Sequence, residues 1–173
     1  MFCSSRYELG DGADEERLKC PRNWVRFKSS CYKFTRSPIK VWEDAKALCQ
    51  AFRHDDTDHA DLASVDSYEE HRFIKNYLNE YDPQHRRWYI STRQDSPDKW
   101  INADGKQMTN LEAFFVEADD WGQASDYKKD FLAYHFDLKS RDWGFLPVFG
   151  HEEYLYICEV PIEVRTEQSF PRL

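Results

Sequence analysis

The five cysteines constrain what this chain can fold into more than any other feature of its sequence. They are Cys3, Cys20, Cys31, Cys49 and Cys158, and no two of them form a Cys-x-x-Cys pair. A zinc ribbon or a thioredoxin-type redox motif is therefore not expected. An odd number of cysteines without such spacing predicts two disulfides and one remaining thiol, in a protein that folds in an oxidising compartment.

The count alone leaves the pairing open. Cys20 and Cys31 bracket two aromatic-rich, strand-like runs, and their separation suits a hairpin closed by a disulfide. Cys49 and Cys158 would then tie an early helix to the last strand. Cys3 lies in a polar N-terminal stretch, where it is either unpaired or paired outside this chain.

Size and charge exclude several classes of protein. A length of 173 residues suggests one domain. The formal net charge of −8 argues against nucleic acid or anionic lipid as the main partner. No apolar run reaches the roughly 18 residues that a membrane helix needs. Aromatic residues make up 16% of the chain, so a core rich in large rings is expected.

Three segments are predicted along the chain: residues 1–19 as a polar linker or tail, 20–160 as the domain, and 161–173 as an exit linker. Val41, Ala45, Leu48, Cys49 and Phe52 recur at helical spacing and predict a first amphipathic helix. A second helix is expected to begin at Ser67, with Ser67 and Glu70 as a capping box and Phe73, Ile74, Tyr77 and Leu78 as its apolar stripe. Short strands are expected at Trp24–Phe27, Cys31–Phe34, Trp88–Thr92, Lys99–Asn102, Phe131–Asp137, Asp142–Leu146 and Tyr154–Val160.

Helices early and strands late indicate the α+β class. Residues 112–130 form a long acidic segment with poor periodicity, which is typical of a loop that is functional or mobile.

An ordered set of short motifs resembles the C-type lectin-like domain. The set runs through Cys20-Pro21, Ser30-Cys31-Tyr32, Trp42-Glu43-Asp44-Ala45, Asp61-Leu62-Ala63-Ser64-Val65, Trp88-Tyr89-Ile90-Ser91, Trp100, Asp104-Gly105 and Tyr156-Ile157-Cys158-Glu159. The resemblance covers about residues 20–160. It implies two helices flanking short antiparallel sheets, a long irregular loop region, and the disulfides Cys20–Cys31 and Cys49–Cys158.

The positions of the family's other common disulfide are Phe131 and Val148 in this chain. Both residues are apolar, so packing is expected to replace the bond there.

A narrower resemblance points to the lectin-like module that opens invertebrate contactins, which are immunoglobulin-superfamily adhesion proteins. It is carried by the run from Asp82 to Ile90 and by the aromatic, Ser-Pro-rich N-terminal half. The resemblance implies an extracellular module of a longer, membrane-anchored protein at septate-type cell junctions. Its partners would be other cell-surface adhesion proteins.

The resemblance also locates the family's calcium–sugar site, and that site is degenerate in this chain. Calcium needs six to eight oxygen ligands. The ligand loop reads Gln123-Ala124-Ser125, a later Glu position holds Lys129, and the following strand reads Trp143-Gly144-Phe145. We therefore expect no calcium and no other cofactor.

Two other clusters offer oxygen or nitrogen atoms. Asp119, Asp120 and Asp126 lie in the acidic loop, and the run from His54 to Asp61 holds two histidines and four aspartates. Either could bind a metal in another arrangement. A solvated surface loop is the favoured interpretation of both.

Candidate partner-binding residues are Trp121 and Tyr127, with Asp119 and Asp120 beside them, because aromatics are enriched at protein interfaces. No phosphate-binding loop, nucleophile elbow or zinc-protease helix is present, so an enzyme is not expected. The favoured hypothesis is a calcium-independent recognition module of an adhesion protein. The alternatives are a secreted or surface lectin that binds glycans, and a spacer with no ligand of its own.

Overall fold

The computed structural model of the protein describes residues 19–52, 59–97, 99–109, 112–116 and 129–162. Within these ranges the chain forms eight strands, two α-helices and one short 3-10 helix. They are β1 (Val25–Phe27), β2 (Ser30–Phe34), α1 (Trp42–Gln50), β3 (Asp61–Leu62), α2 (Tyr68–Tyr81), β4 (Trp88–Ser96), β5 (Lys99–Ile101), the 3-10 helix (Glu112–Phe114), β6 (Phe131–Asp137), β7 (Asp142–Val148) and β8 (Leu155–Pro161).

The strands form one mixed sheet in the order β1-β2-β8-β4-β6-β7, with β3 beside β8 and β5 beside β4. Neighbouring strands in the described part of the sheet are antiparallel, apart from β4 and β8. Those two run parallel, with Trp88 opposite Leu155. The α+β class is therefore confirmed, with a mixed sheet where antiparallel sheets were expected.

Helix α1 buries the stripe that its spacing predicts. Trp42, Ala45 and Cys49 are buried, while Leu48 at its edge is exposed. The indole Nε1 of Trp42 donates to the carbonyl of Ile90 at 2.9 Å. This bond fixes the first turn of α1 against the centre of the sheet.

Helix α2 begins as predicted but is capped differently. The Ser67 hydroxyl accepts from the Glu70 amide at 3.2 Å, which is half of a capping box. The Glu70 carboxylate accepts from the amide of Asp66 at 2.8 Å, one residue before the expected donor. Ile74 and Leu78 are fully buried, and the helix ends at Tyr81 before Asp82-Pro83.

Both predicted disulfides are present. Cys20 and Cys31 are joined with their Cα atoms 5.5 Å apart, and Cys49 and Cys158 with theirs 5.3 Å apart. Disulfides form in oxidising compartments, so the pair fits an extracellular domain. Cys3 lies outside the described residues.

The two positions where packing is expected to replace a third disulfide are neighbours in the register of β6 and β7. Phe131 lies directly opposite Val148. The Phe131 ring packs on Trp42, with ring centroids 4.6 Å apart. The ring also covers Gly150, where a Cβ atom would lie 2.7 Å from the Phe131 Cδ2 atom.

The segment from Asp82 to Ile90 is held by one buried carboxylate. Asp82 accepts from the Trp88 indole at 2.8 Å, from the Arg86 amide at 2.9 Å and from the Arg86 side chain at 2.8 Å. These donors fix the turn that leads from α2 into β4. No helix in the described part of the chain is long and apolar enough to cross a bilayer.

Candidate functional site

A groove lies where the 3-10 helix meets the end of the β6–β7 hairpin. Ala113–Val116 form one wall, and the turn from Asp137 to Gly144 forms the other. Its volume is about 380 Å³. We call it the β7 groove, because β7 is the last strand of the sheet on this side. Phenylalanine rings from the first wall and charged side chains from the turn give it an amphipathic lining.

The wall Ala113–Val116 is attached directly to β7. The Val116 amide donates to the carbonyl of Phe145 at 3.0 Å, and Phe115 forms a parallel bridge with Phe145. A Cβ atom at Gly144 would fall against the carbonyl oxygen of Phe114 and lie 2.6 Å from Cγ1 of Val116. Only glycine therefore fits at position 144 while this segment lies over it.

Phe145 faces the interior and is fully buried. Its ring lies 5.2 Å from His71, 5.0 Å from Tyr134 and 6.0 Å from Phe115, measured between ring centroids. The side chain belongs to the core beneath the β7 groove.

Lys129 is the third predicted site position that the structure describes. Its ammonium group lies 5.6 Å above the centroid of the Phe149 ring, a cation–π geometry. A positive charge therefore stands at the position that the resemblance assigns to a calcium-binding glutamate.

The remaining predicted site residues cannot be placed. Gln123, Ala124 and Ser125, and the candidate partner-binding residues Asp119, Asp120, Trp121 and Tyr127, lie outside the described residues. So do Asp126 and most of the run from His54 to Asp61. Asp61 itself accepts from the Gln50 side-chain amide at 2.9 Å, on α1.

A calcium site of the kind implied by the resemblance does not fit the side chains present at the described positions. Lys129, Gly144 and Phe145 supply no side-chain oxygen, and calcium is held by oxygen atoms. Within the described ranges, no group of three or more His, Cys, Asp or Glu side chains is arranged to hold a metal ion.

Exposed apolar side chains flank the β7 groove. Tyr68, in the first turn of α2, is 52% exposed, and its ring stacks on Phe114 with centroids 5.6 Å apart. Leu138 is 79% exposed in the turn between the lining residues Asp137 and Lys139. Large apolar side chains that remain exposed around a groove are typical of an interaction surface.

The turn begins with a carboxylate that accepts hydrogen bonds from the backbone. Asp137 accepts from the amides of Lys139 at 3.0 Å and Ser140 at 2.9 Å. Hydrogen bonds from the Ser140 side chain and from these amides lower the pKa of Asp137 to about 2. At neutral pH the groove therefore carries a fixed carboxylate at this end.

A buried histidine lies under the groove. His71 is 1% exposed, its Nδ1 atom lies 3.0 Å from the Tyr134 hydroxyl, and its ring packs 4.3 Å from that of Phe114. Burial lowers the pKa of His71 to about 4, with a smaller contribution from the nearby Lys75. His71 is therefore neutral at physiological pH.

Two carboxyl groups, one of them in the first turn of α2, lie beside one tyrosine hydroxyl. The Tyr32 hydroxyl lies within hydrogen-bond distance of Glu70 and 3.2 Å from Oε1 of Glu159. Oε2 of Glu159 accepts from the Ser64 amide at 3.0 Å. Three segments distant in sequence, namely β2, the start of α2, and β8, are joined here.

The sequence-based prediction did not find His71 or the Glu70–Glu159 pair as features of interest. The available signal was a polar pair, Glu70-His71, placed directly before the apolar residues of α2. Helical periodicity puts both side chains near the buried face, where polar groups need partners.

Comparison with known proteins decides the family. The profile of the Lectin C-type domain matches residues 39–160, more than half of the chain. The chain belongs to the C-type lectin domain family. Such domains are binding modules, and nothing in the match indicates catalysis.

Two relatives show how far this C-type lectin domain is similar to known proteins. Contactin of Drosophila melanogaster is 38% identical over 105 residues, which are 61% of this chain and 7% of Contactin. Asialoglycoprotein receptor 1 of Rattus norvegicus is 35% identical over 126 residues, which are 70% of this chain and 38% of the receptor. The chain therefore spans less than half the length of either relative.

Solved structures agree on the fold of this C-type lectin domain. The C-type lectin CEL-I from Cucumaria echinata aligns with a TM-score of 0.65 at 21% identity, covering 84% of this chain and 99% of that one. The domain of murine dendritic cell inhibitory receptor 2, solved in complex with N-glycan, aligns with a TM-score of 0.66 at 17% identity, covering 83% and 99%. At these identities the likeness concerns the fold alone.

Proposed function

We propose that this C-type lectin domain is an extracellular recognition module that binds protein partners without calcium, as part of a contactin-like adhesion protein. The observation that carries the proposal is the position of Phe114–Val116 on β7. This segment lies over Gly144, at a position where the resemblance expects a calcium ligand. The wall of the β7 groove thus occupies the space that a ligand side chain at position 144 would need.

Electrostatics support the same conclusion. A calcium ion carries two positive charges and is stabilised by carboxylates. Lys129 places a cation at one ligand position, and the buried ring of Phe145 occupies another. Both residues oppose a calcium ion in the arrangement that the resemblance implies.

The proposed recognition surface is the β7 groove with Tyr68 and Leu138 at its sides. Aromatic and large apolar side chains dominate the energetics of protein interfaces. The predicted partner residues Trp121 and Tyr127, with Asp119 and Asp120, belong to the segment that follows Val116 in sequence. They remain a prediction for the same surface.

The contactin-like parent is supported by the 38% identity to Contactin and by the segment from Asp82 to Ile90. In this proposal the domain lies outside the cell, at cell junctions, and meets other adhesion proteins there. The two disulfides fit that location.

A second candidate function is carbohydrate binding. It is favoured by the 35% identity to asialoglycoprotein receptor 1 over 70% of this chain, and by the structural likeness to a domain solved with N-glycan. A sugar-binding surface that does not use position 144 would satisfy this alternative.

Thermal unfolding of the 173-residue chain in millimolar calcium against chelator tests the calcium-dependent form of the second candidate. A ligand at about 100 times its dissociation constant stabilises by roughly 2.7 kcal/mol. That corresponds to a rise in Tm of roughly 5–11 °C for a chain of this size. We expect no rise.

The matched variant in this experiment is Glu70→Gln, because Glu70 and Glu159 form a pair of carboxyls on α2 and β8, outside the positions that the resemblance assigns to the calcium site. A calcium-dependent rise that Glu70→Gln abolishes would come from that pair and leave the proposal standing. A rise that persists in Glu70→Gln, together with chelator-sensitive binding to a glycan array, would support the lectin alternative instead.

Binding to a panel of adhesion-protein ectodomains then tests the surface. Tyr68→Ala should weaken binding about tenfold or more, as an interface aromatic does. Tyr81→Ala is the matched control, since Tyr81 is 45% exposed and lies about 20 Å away at the other end of α2. Equal binding by both variants would count against this surface, and the absence of any partner would favour a spacer.

A further inference from the structure

The Tyr32 hydroxyl has one proton and two carboxyl neighbours. It can donate to Glu70 or to Glu159, but not to both at the same moment. If both carboxyls are ionised, one of them faces the hydroxyl oxygen without a proton between them. If one carboxyl is protonated, it donates to the hydroxyl, which in turn donates to the other carboxyl. With one additional proton shared among the three groups, both contacts to the hydroxyl become hydrogen bonds.

Their surroundings make the additional proton favourable. Glu70 is 7% exposed, and Tyr32 is 2% exposed. Desolvation raises the pKa of Glu70 to about 7, and the charge of Glu159 acts in the same direction. Desolvation also raises the pKa of Glu159.

Three further charged or titratable side chains lie around the Glu70–Glu159 pair, in the loop before α2, beyond β5 and on β6. Asp66, in the loop before α2, raises the pKa of both carboxyls by its charge. Lys106, beyond β5, feels the charge of Asp66. Tyr134 on β6 feels the charge of Glu70, which contributes to the raised pKa of its own hydroxyl.

We propose that Tyr32, Glu70 and Glu159 form a proton-sharing switch that holds the start of α2 against β2 and β8 at mildly acidic pH and loosens it as the pH rises. Loss of the shared proton leaves two negative charges facing each other across a hydroxyl that can satisfy one of them. The start of α2 is the element that can yield, because β2 and β8 are paired over five residues of the sheet.

The switch has a physical route to the recognition surface. Tyr68 lies in the same helical turn as Glu70, and its ring stacks on Phe114 in the wall of the β7 groove. A change in the position of this turn therefore moves one wall of the groove. This last step rests on the proposed function, whereas the proton switch itself does not.

The sign of the effect follows from the raised pKa of Glu70. Its stabilising contribution is complete below the unfolded-state pKa of about 4.5 and is lost as the pH rises to about 7. His71, next in sequence, acts in the opposite direction, because its pKa is lowered. The test therefore compares wild type with Glu70→Gln at each pH, so that His71 contributes equally to both.

The experiment is guanidinium unfolding of the 173-residue chain between pH 5 and pH 8, in chelator so that no divalent cation replaces the proton. The ratio of the wild-type unfolding constant to that of Glu70→Gln should rise on the order of 50-fold over this range. Glu69→Gln is the matched control, since Glu69 is an exposed neighbour in the same turn. Its ratio should stay constant.

Two results would overturn the proposal. One is a ratio for Glu70→Gln that does not change with pH. The other result comes from wild type alone, so it can be obtained even if the variant does not fold. It is a carboxyl carbon NMR titration in which every glutamate titrates below pH 5. A carboxyl that titrates near pH 7 is the expected result. Failure of partner binding to follow pH, with this titration intact, would contradict only the link to the recognition surface.

Discussion

A disulfide joins α1 to β8, whereas β6 and β7 meet at Phe131 and Val148 without a covalent bond. Cys49 and Cys158 are 109 residues apart, so closing that loop removes much entropy from the unfolded chain. Phe131 and Val148 are joined by a short hairpin, and a bond there would contribute less. Cys49 and Cys158 thus hold together two elements that are distant in sequence, whereas the turn of their own hairpin already brings Phe131 and Val148 together.

The largest effect is expected from breaking the long-range bond. Replacing Cys49 and Cys158 by Ala should cost about 4–5 kcal/mol of unfolding free energy in the chain-entropy model. Replacing Cys20 and Cys31, which are 11 residues apart, should cost about 3 kcal/mol or less. Denaturant unfolding of both double variants measures the difference, and equal losses would contradict the role of loop length.

The contribution of packing between β6 and β7 is tested by changing Phe131. Phe131→Ala removes a ring that contacts Trp42 and Gly150, and should cost about 2–3 kcal/mol, below the value for a fully buried phenylalanine because the ring is partly exposed. Leu138→Ala in the same hairpin is the control, and should change stability by less than about 0.5 kcal/mol because Leu138 is exposed. A small loss at Phe131 would mean that packing does not replace the missing disulfide.

The sequence predicts the disulfides and the Phe131–Val148 neighbours better than it predicts the β7 groove. The cysteine spacing suited the two disulfide pairs that the resemblance implies, apolar periodicity predicted the two helices, and the resemblance matched Phe131 with Val148. Gly144 has no such pattern, because the reason for glycine is a backbone segment about 30 residues earlier in the chain. Its close contact exists only after the fold has brought Phe114 to β7.

Polar partners across the sheet were missed for a related reason. Glu70 and Glu159 are 89 residues apart in sequence, and Tyr32 joins them from a third element. A capping box predicted one role for Glu70, and the structure gives its carboxylate two others. Apolar spacing identifies which face is buried, but it does not pair the polar groups that the burial brings together.

The third effect concerns the buried histidine His71, and it is a dependence of stability on pH. Because the folded-state pKa of His71 is lowered to about 4, its stabilising contribution is present above pH 6.5 and is lost as the pH falls towards 4. From pH 7 to pH 5, wild type should therefore lose about 2 kcal/mol relative to His71→Gln. Parallel denaturant curves at the two pH values measure this. An unchanged difference would show that folding does not lower the pKa of His71.

The smallest effect is expected at the outer edge of β7, because the edge of a sheet needs protection against pairing with other chains. Phe145 already accepts from Val116 there, Pro147 has no amide proton, and the Trp143 amide donates to the Asp142 carboxylate at 2.9 Å. Asp142→Ala exposes that amide and removes the ion pair with Lys75, at a cost of about 0.5–1 kcal/mol.

Lys75→Ala removes the ion pair alone and should cost less, since both of its groups are partly exposed to solvent. Sedimentation measures the second consequence, which is that Asp142→Ala associates with itself at high concentration while Lys75→Ala stays monomeric. Equal behaviour of the two variants would mean that Asp142 acts only through its charge. The hydrogen bond from the Trp143 amide to Asp142 would then not protect the edge of β7 against pairing with other chains.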